Sequence, residues 1–145
     1  MVGHIIATLR HSPLVKDLDV IEVAEEKSFQ LLRVRAKIVD GSLLYVRELL
    51  FPDHNKYSYH WQTQGGEVLF RWDNAPHHPE IPTHPDHKHE GERVSSSARV
   101  SVEEVLAELA EALKQQRVHQ VNEGNHVASY LQLETRQAMG LLDHL

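Results

Sequence analysis

At 145 residues, with 41% apolar and 25% charged residues, the chain has the size and composition of one soluble globular domain. It contains no cysteine, which excludes disulfide bonds and thiolate metal sites. The formal net charge of −6 argues weakly against nucleic-acid binding, but residues 27–60 hold six cations against three anions, which allows one cationic face. The N-terminus lacks the pattern of a signal peptide, and no segment is long and apolar enough to span a bilayer, so we predict a cytoplasmic protein without a membrane segment.

The first predicted elements are a short helix near residues 3–10 and a strand near Val20–Glu25. Beyond them, apolar residues alternate with basic ones, which is typical of a strand with one buried face. Asp40-Gly41 then predicts a two-residue hairpin loop, because a type I′ turn needs positive φ at both central residues. This turn would pair Arg33 with Glu48, an opposite-charge contact between the two strands.

Two aromatic-rich segments, KYSYHWQ and EVLFRWD, flank Gly65-Gly66 and predict a second hairpin. Its register would place four aromatic rings on one face: Tyr59, Trp61, Phe70 and Trp72. His60 and Arg71 would then pair on the other face, beside Ser58 and Asp73. One face of this hairpin is therefore expected to be buried, and the other is expected to be polar.

The segment from Ala75 to Gly91 is predicted to be a stiff irregular loop. Proline fixes φ and lacks an N–H group, and four of the six prolines lie here: Pro76, Pro79, Pro82 and Pro85. The segment also contains five histidines: His77, His78, His84, His87 and His89. Because imidazole titrates near neutral pH, such clustering indicates metal ligation, acid/base chemistry or a pH-sensitive surface.

The clearest predicted helix covers residues 101–116. Ser101 and Glu104 have the spacing of a capping box, and an apolar stripe follows. We predict an α+β fold, in which an antiparallel β-sheet of about four to six strands has this C-terminal helix packed on one face. Residues 1–116 would form a single domain. Residues 117–145 would form a helical extension that docks on the domain or makes dimer contacts.

A metal site is one interpretation of the histidine-rich segment. His84, His87 and His89 could occupy three positions of a tetrahedral zinc site, with water in the fourth. Against this, their spacing fits no helix or strand that brings all three together, and Lys88 adds a repelling charge. We therefore favour a protein with no native metal ion and no cofactor.

Acid/base chemistry on RNA is the second interpretation. A base and an acid can cleave RNA without metal when cations stabilise the charge that develops on the phosphate. The candidates for proton transfer are His60, His77, His78, His87 and His89. Asp73 would orient a histidine, and the expected phosphate contacts are Arg33, Arg35, Arg71 and Lys88.

The segments KYSYHW and RWDNAPHHPEIPTHPDHKH, followed by a helix that begins Ser-Val-Glu-Glu, resemble the TumE-like family of toxins from toxin–antitoxin pairs. The resemblance covers roughly residues 30–116, and Arg71–Pro79 and His87–His89 are its most distinctive parts. It implies a growth-inhibiting toxin that a cognate antitoxin protein neutralises.

The resemblance itself assigns no catalytic residue, and ribonuclease activity enters by analogy with such toxins in general. We predict a toxin that acts on RNA as a metal-independent ribonuclease, with a homodimer left open. Two alternatives remain. One is a non-catalytic protein-binding module that docks through the aromatic and histidine-rich segment, and the other is a histidine-rich metal-binding domain.

Overall fold

The computed structural model describes residues 2–116. The chain divides into two compact units, Met1–Ala107 and Glu108–Leu145, and the whole sheet belongs to the first unit. The predicted C-terminal extension, residues 117–145, lies outside the described residues, as do its predicted docking and dimer contacts.

Seven antiparallel strands form one sheet in which strand order equals chain order. The elements are α1 (Val2–His11), β1 (Val15–Glu25), β2 (Gln30–Ile38), β3 (Leu43–Leu50), β4 (Asn55–Gln62), β5 (Val68–Asp73), β6 (His87–Glu90), β7 (Arg93–Ser96) and helix α2, residues 102–116. The predicted α+β class is confirmed, and the sheet has more strands than the expected four to six. The N-terminal helix and the strand at Val20–Glu25 are also confirmed, and that strand is longer than expected.

Apolar side chains alternate along the central strands and form the core on one face of the sheet. In β2, Leu32, Val34 and Ala36 are buried while the basic residues between them are exposed. Helix α1 packs on β1 and β2. Helix α2 begins with a capping box, in which the Glu104 amide donates to the Ser101 hydroxyl at 3.1 Å, as predicted. Its first turns bury further apolar side chains: Val102, Val105 and Leu106.

The predicted register of the first hairpin is wrong by one residue. Arg33 lies opposite Arg47 rather than Glu48. Gly41 has φ +90°, but no non-glycine residue between positions 2 and 116 has positive φ, so Asp40 does not adopt the type I′ conformation. The Gly41 amide instead donates to the Ile38 carbonyl at 2.9 Å, which closes a three-residue loop. This register keeps the apolar residues of β2 and β3 on one face, and a one-residue slip would separate them.

The second hairpin has the predicted pairs, with Trp61 opposite Phe70 and His60 opposite Arg71. Its predicted two-residue turn is wrong: the Gly66 amide donates to the Thr63 carbonyl at 3.0 Å in a three-residue loop, and a register shift between Trp61 and Gln62 compensates for the extra residue. Its two tryptophans are each 1% exposed, as expected for the core face. The loop after it is shorter than predicted, because β6 begins at His87. The last proline is Pro85, so nothing prevents the chain from pairing in a sheet two residues later.

Candidate functional site

Polar side chains cross the sheet in two adjacent rows on the face opposite the core, which we call the polar face. One row contains residues that pair in register from β1 to β6: Asp19, Arg35, Tyr45, His60, Arg71 and His89. The neighbouring row contains, from β2 to β6, Arg33, Arg47, Ser58, Asp73 and His87. Groups that are far apart in the sequence therefore meet on one surface.

Asp73 is a buried carboxylate at the C-terminal end of β5 on the polar face, only 5% exposed. It accepts hydrogen bonds from the Ala75 amide and from Nε of Arg71, each at 2.9 Å. Nε2 of His87 lies 3.1 Å from Oδ1, and Nε2 of His89 lies 3.7 Å from Oδ2. Burial raises the pKa of Asp73, but the two hydrogen bonds and the nearby positive charges outweigh it and lower the pKa below 3.8. Asp73 is therefore a stable anion at neutral pH.

His78, His87 and His89 form a compact group, which we call the histidine cluster. One ring nitrogen of each lies within 4.8 Å of the other two. Strand β6 directs His87 and His89 to the same face because they are two residues apart, and the preceding loop brings His78 against both rings. His87 is 2% exposed, whereas His78 and His89 keep 28% and 25% of their side-chain surface exposed. Solvent therefore reaches two of the three rings.

The hydrogen bonds of His87 define where protons lie in the cluster. Its Nδ1 is 2.9 Å from the carbonyl oxygen of Pro85, which only accepts, so Nδ1 carries a hydrogen. Its Nε2 lies 2.9 Å from Nε2 of His89 and also faces the Asp73 carboxylate. Burial lowers the pKa of His89, and the positive charge of His87 lowers it further. At 2.9 Å the two Nε2 atoms are close enough to share one hydrogen.

Arg71 connects His60 to Asp73. A guanidinium has only donors, so Arg71 donates to Nδ1 of His60 at 3.1 Å. Nε2 of His60 lies 3.1 Å from Oε1 of Gln62, to which it donates its hydrogen, and the ring is neutral. Burial lowers the pKa of His60, the hydrogen bond to Gln62 opposes this, and the charge of Arg71 lowers the pKa further.

A pocket of about 400 Å³ opens on the polar face beside Asp73, and we call it the cationic pocket. Its polar lining includes Arg47, Lys56, Ser58, Arg71 and His77. Arg47 and Lys56 are exposed, and neither makes an ion pair with another residue of the described range 2–116. The carboxylate in the wall is already held by Arg71. The pocket therefore has an excess of positive charge, which suits a phosphate group.

The predicted proton-transfer residues come together on this surface. His78, His87 and His89 form the cluster, His77 lines the cationic pocket, and His60 contacts Arg71.

The metal ligands considered from the sequence are regrouped. Two of them, His87 and His89, lie together in the cluster on strand β6, and His84 does not join them, as its spacing predicted. His84 is exposed and is not part of the cluster found in residues 2–116, where His78 takes the third position.

The predicted phosphate-binding cations separate into two groups. Arg33 and Arg35 lie on the polar face with Arg71, but they also make exposed ion pairs with Glu22 and Asp19 of β1. Lys88 lies on the core side of the sheet, with Nζ 4.4 Å from the Phe70 ring centroid. It does not share a surface with Arg71.

Sequence reasoning missed Arg47 and Lys56 as site residues. Both were counted in the basic segment, but the wrong register of the first hairpin turned Arg47 away from the face that carries Arg33. The alternation of apolar residues in β3 indicates the correct register, since Leu44 and Val46 must share the buried face with Val34, which places Arg47 on the same face as Arg33.

A comparison with protein families confirms the resemblance seen in the sequence. The family model described as Toxin TumE matches residues 4–117, and the chain belongs to this toxin family. No curated protein and no solved structure matches the chain. Among residues 2–116, no helix has the length and apolar character needed to cross a membrane.

Proposed function

We propose that this toxin acts on RNA as a ribonuclease that requires no metal ion. The observation that carries the proposal is that the cationic pocket and the histidine cluster meet at one pair, Arg71 and Asp73. RNA cleavage through its own 2′-oxygen requires a base for the 2′-hydroxyl proton, an acid for the leaving 5′-oxygen and cations around the phosphate. The polar face has side chains suited to all three roles.

The phosphate would bind in the cationic pocket. Arg47 and Lys56 are free to contact it, and the Ser58 hydroxyl adds a hydrogen-bond donor. Arg33 lies directly opposite Arg47 and extends the positive surface toward β1, followed by Arg35 in the next row. Their ion pairs with β1 carboxylates make them weaker phosphate contacts than Arg47. A single-stranded RNA would thus cross the strands from β2 toward β5.

Phosphate binding would prepare His60 as the base. Its Nδ1 lone pair is occupied by the hydrogen bond from Arg71. When Arg71 turns to a phosphate, that lone pair becomes free to take the 2′-hydroxyl proton. His60 and His89 lie on the two strands that flank Arg71, so their backbones are about 10 Å apart. This spacing leaves room for a phosphate between them.

The histidine cluster would supply the acid. Of the two rings that share a proton, His89 is the exposed one, so it would pass the proton to the leaving 5′-oxygen. Asp73 and His87 are buried and would act as positioning residues, which orient His89 and return a proton to it after each cleavage. His78, beside the cluster, and His77, in the pocket wall, are further proton-transfer candidates.

The donor set supports metal independence with respect to Mg²⁺. That ion prefers oxygen ligands and usually takes carboxylates. The carboxylate of the site is Asp73, whose oxygens already accept from Arg71 and the Ala75 amide. The positive charge near the phosphate comes from side chains instead.

Membership in a toxin family supports two further parts of the proposal. A cognate antitoxin would bind this chain and neutralise it, and the toxin would act in the cytoplasm, where its RNA substrate is found. Neutralisation requires only that the antitoxin cover the cationic pocket.

The test is cleavage of a labelled single-stranded RNA by untagged protein, with and without EDTA. We expect cleavage in both conditions, products ending in a 2′,3′-cyclic phosphate, and no cleavage of the same sequence with 2′-O-methyl groups. The double variant Arg47→Ala/Lys56→Ala should lower kcat/KM by about 100-fold. The matched control is Arg10→Ala, an exposed arginine of α1.

Each other result has a defined meaning. Cleavage that EDTA abolishes would contradict metal independence. Absence of cleavage in both conditions would refute the ribonuclease and favour a module that binds RNA or protein without chemistry. Equal losses in the Arg10→Ala control and in the double variant would exclude the cationic pocket as the phosphate site.

A further inference from the structure

The histidine cluster has the geometry of a metal centre as well as that of a proton-transfer site. A zinc ion in a tetrahedral site binds nitrogen at about 2.0–2.1 Å, so its ligand nitrogens lie roughly 3.4 Å apart. The Nε2 atoms of His87 and His89 are 2.9 Å apart, and a nitrogen of His78 lies within 4.8 Å of both. Ring shifts of up to about 1.4 Å, available to the partly exposed His78 and His89, would bring all three nitrogens to bonding distance.

The outer hydrogen bonds support this assignment. A metal-binding histidine commonly donates its other ring N–H to a carbonyl or carboxylate, which fixes the tautomer and aims the free nitrogen. Nδ1 of His87 donates to the Pro85 carbonyl at 2.9 Å, and Nδ1 of His78 lies 3.4 Å from the Glu80 carboxylate. His87 therefore has the expected second contact on the side away from the cluster, and His78 has a carboxylate beside its Nδ1.

The backbone keeps the three rings in place before an ion arrives. His87 and His89 are on one strand and share a face, and His87 is buried. The loop that carries His78 is stiffened by prolines on both sides of it, Pro76 and Pro79. Preorganised ligands lose little conformational freedom on binding, which favours affinity.

The ligand types select the ion. Three imidazoles without a thiolate suit Zn²⁺ and related transition metals, whereas Mg²⁺ and Ca²⁺ require oxygen donors. The Asp73 carboxylate adjoins Nε2 of both His87 and His89 and adds a compensating negative charge.

We infer that His78, His87 and His89 bind one divalent transition-metal ion, with Zn²⁺ as the best match, and that the bound ion stops RNA cleavage. The second half rests on the proposed function. The ion occupies the nitrogen lone pairs of His87 and His89 between which the acid proton is held, so a loaded cluster has no proton to give to the leaving 5′-oxygen. The metal-free form is active, and the zinc form is inactive.

Binding is tested first, without RNA, on untagged full-length protein stripped with a chelator. Calorimetric titration with Zn²⁺ and the visible absorption of the Co²⁺ form should each give one ion per chain. His78→Ala and His89→Ala, at partly exposed positions, should each weaken binding by at least tenfold. His84→Ala is the matched control, since it removes a nearby histidine outside the cluster, and it should bind as the wild type does.

Two results would overturn the site. One is that Zn²⁺ binds the wild type no more tightly than it binds His78→Ala. The other is a loss in His84→Ala as large as the loss in His78→Ala, which would indicate dispersed binding along the histidine-rich segment. Circular dichroism of each variant confirms that it is folded before the comparison is made.

The inhibitory role is tested separately by adding Zn²⁺ to the cleavage assay. Loss of cleavage at one equivalent, and its recovery with EDTA, would support the switch. Unchanged or faster cleavage by the loaded protein would refute the switch while leaving the site established. If Zn²⁺ binds as expected but neither form cleaves RNA, the proposed function fails, the switch fails with it, and the metal site stands.

Discussion

Arg33 of β2 lies directly opposite Arg47 of β3, although an acidic residue, Glu48, is next in the chain. Like charges on opposed strand positions destabilise a sheet. A local conflict of this kind is expected where a surface is used for function rather than for stability. Here it concentrates positive charge at the edge of the cationic pocket.

Arg47→Glu is therefore expected to stabilise the fold and to weaken RNA binding. The new carboxylate would face Arg33, and urea unfolding should show a gain of about 0.2–1 kcal/mol. Fluorescence anisotropy with a labelled RNA should show weaker binding. The matched control is Lys56→Glu, which faces Leu49 and should weaken RNA binding without a gain in stability. A destabilised Arg47→Glu variant would contradict this account of the pair.

Asp73→Asn should be strongly destabilising, because Asp73 is buried and compensates Arg71 and His87. We expect a loss of about 1–3 kcal/mol in the free energy of unfolding, since asparagine keeps only one of the two buried oxygens that accept from Arg71 and from the Ala75 amide. RNA cleavage should also slow, because His89 loses the carboxylate charge that lies beside its Nε2. Asp53→Asn, whose side chain is 85% exposed, is the control and should change stability by less than about 0.5 kcal/mol. Equal stabilities of the two variants would refute the structural role of Asp73.

His60 should make the fold less stable in mild acid. Its pKa is lowered below 6.5, by burial first and by the charge of Arg71, so the unfolded chain takes up this proton more readily than the folded chain does. The free energy of unfolding therefore falls as pH decreases from 6.5 to the lowered pKa. In His60→Gln, the loss of stability between pH 8 and pH 5 should be smaller than in the wild type. Identical losses in urea unfolding would contradict the shift.

Lys88 should affect stability rather than RNA affinity, because it lies over the Phe70 and Trp72 rings on the core side of the sheet. Lys88→Gln should cost about 0.5–1 kcal/mol from the lost cation–π contacts and leave the salt dependence of RNA binding unchanged. Lys56→Gln should behave in the opposite way, lowering the slope of log K against log salt by about 0.7. An equal change of slope in both variants would indicate that Lys88 also contacts a phosphate.

The second hairpin was predictable because its pattern is redundant. Four aromatic residues and the alternation of polar residues agree on one register, which a shift between Trp61 and Gln62 keeps although the loop has three residues. The first hairpin was not, since Asp40-Gly41 fits both a two-residue loop and a three-residue loop. The choice between them depends on which face of β3 is buried, and that is a tertiary property.

The sequence indicated that histidines would form a group, but it did not indicate which histidines belong to that group. His87 and His89 are close in sequence, and β6 keeps them together. His78 reaches them only because the proline-rich loop returns to the sheet, which no local pattern describes. The same loop leaves His84 exposed, although it is nearer in sequence to His87.

Since every strand pairs with the strand before it, the sheet can grow in the order in which the ribosome releases the chain. Contacts between neighbouring segments form quickly, as little chain must be closed between them. The walls of the cationic pocket come from β3, β4, β5 and the residues just after β5, so they can assemble before β6 is made. Asp73 meets His87 and His89 only when β6 is added, so the part of the site that is proposed to donate the acid proton is completed after the pocket. A nascent toxin would thus hold RNA before it is able to cut it.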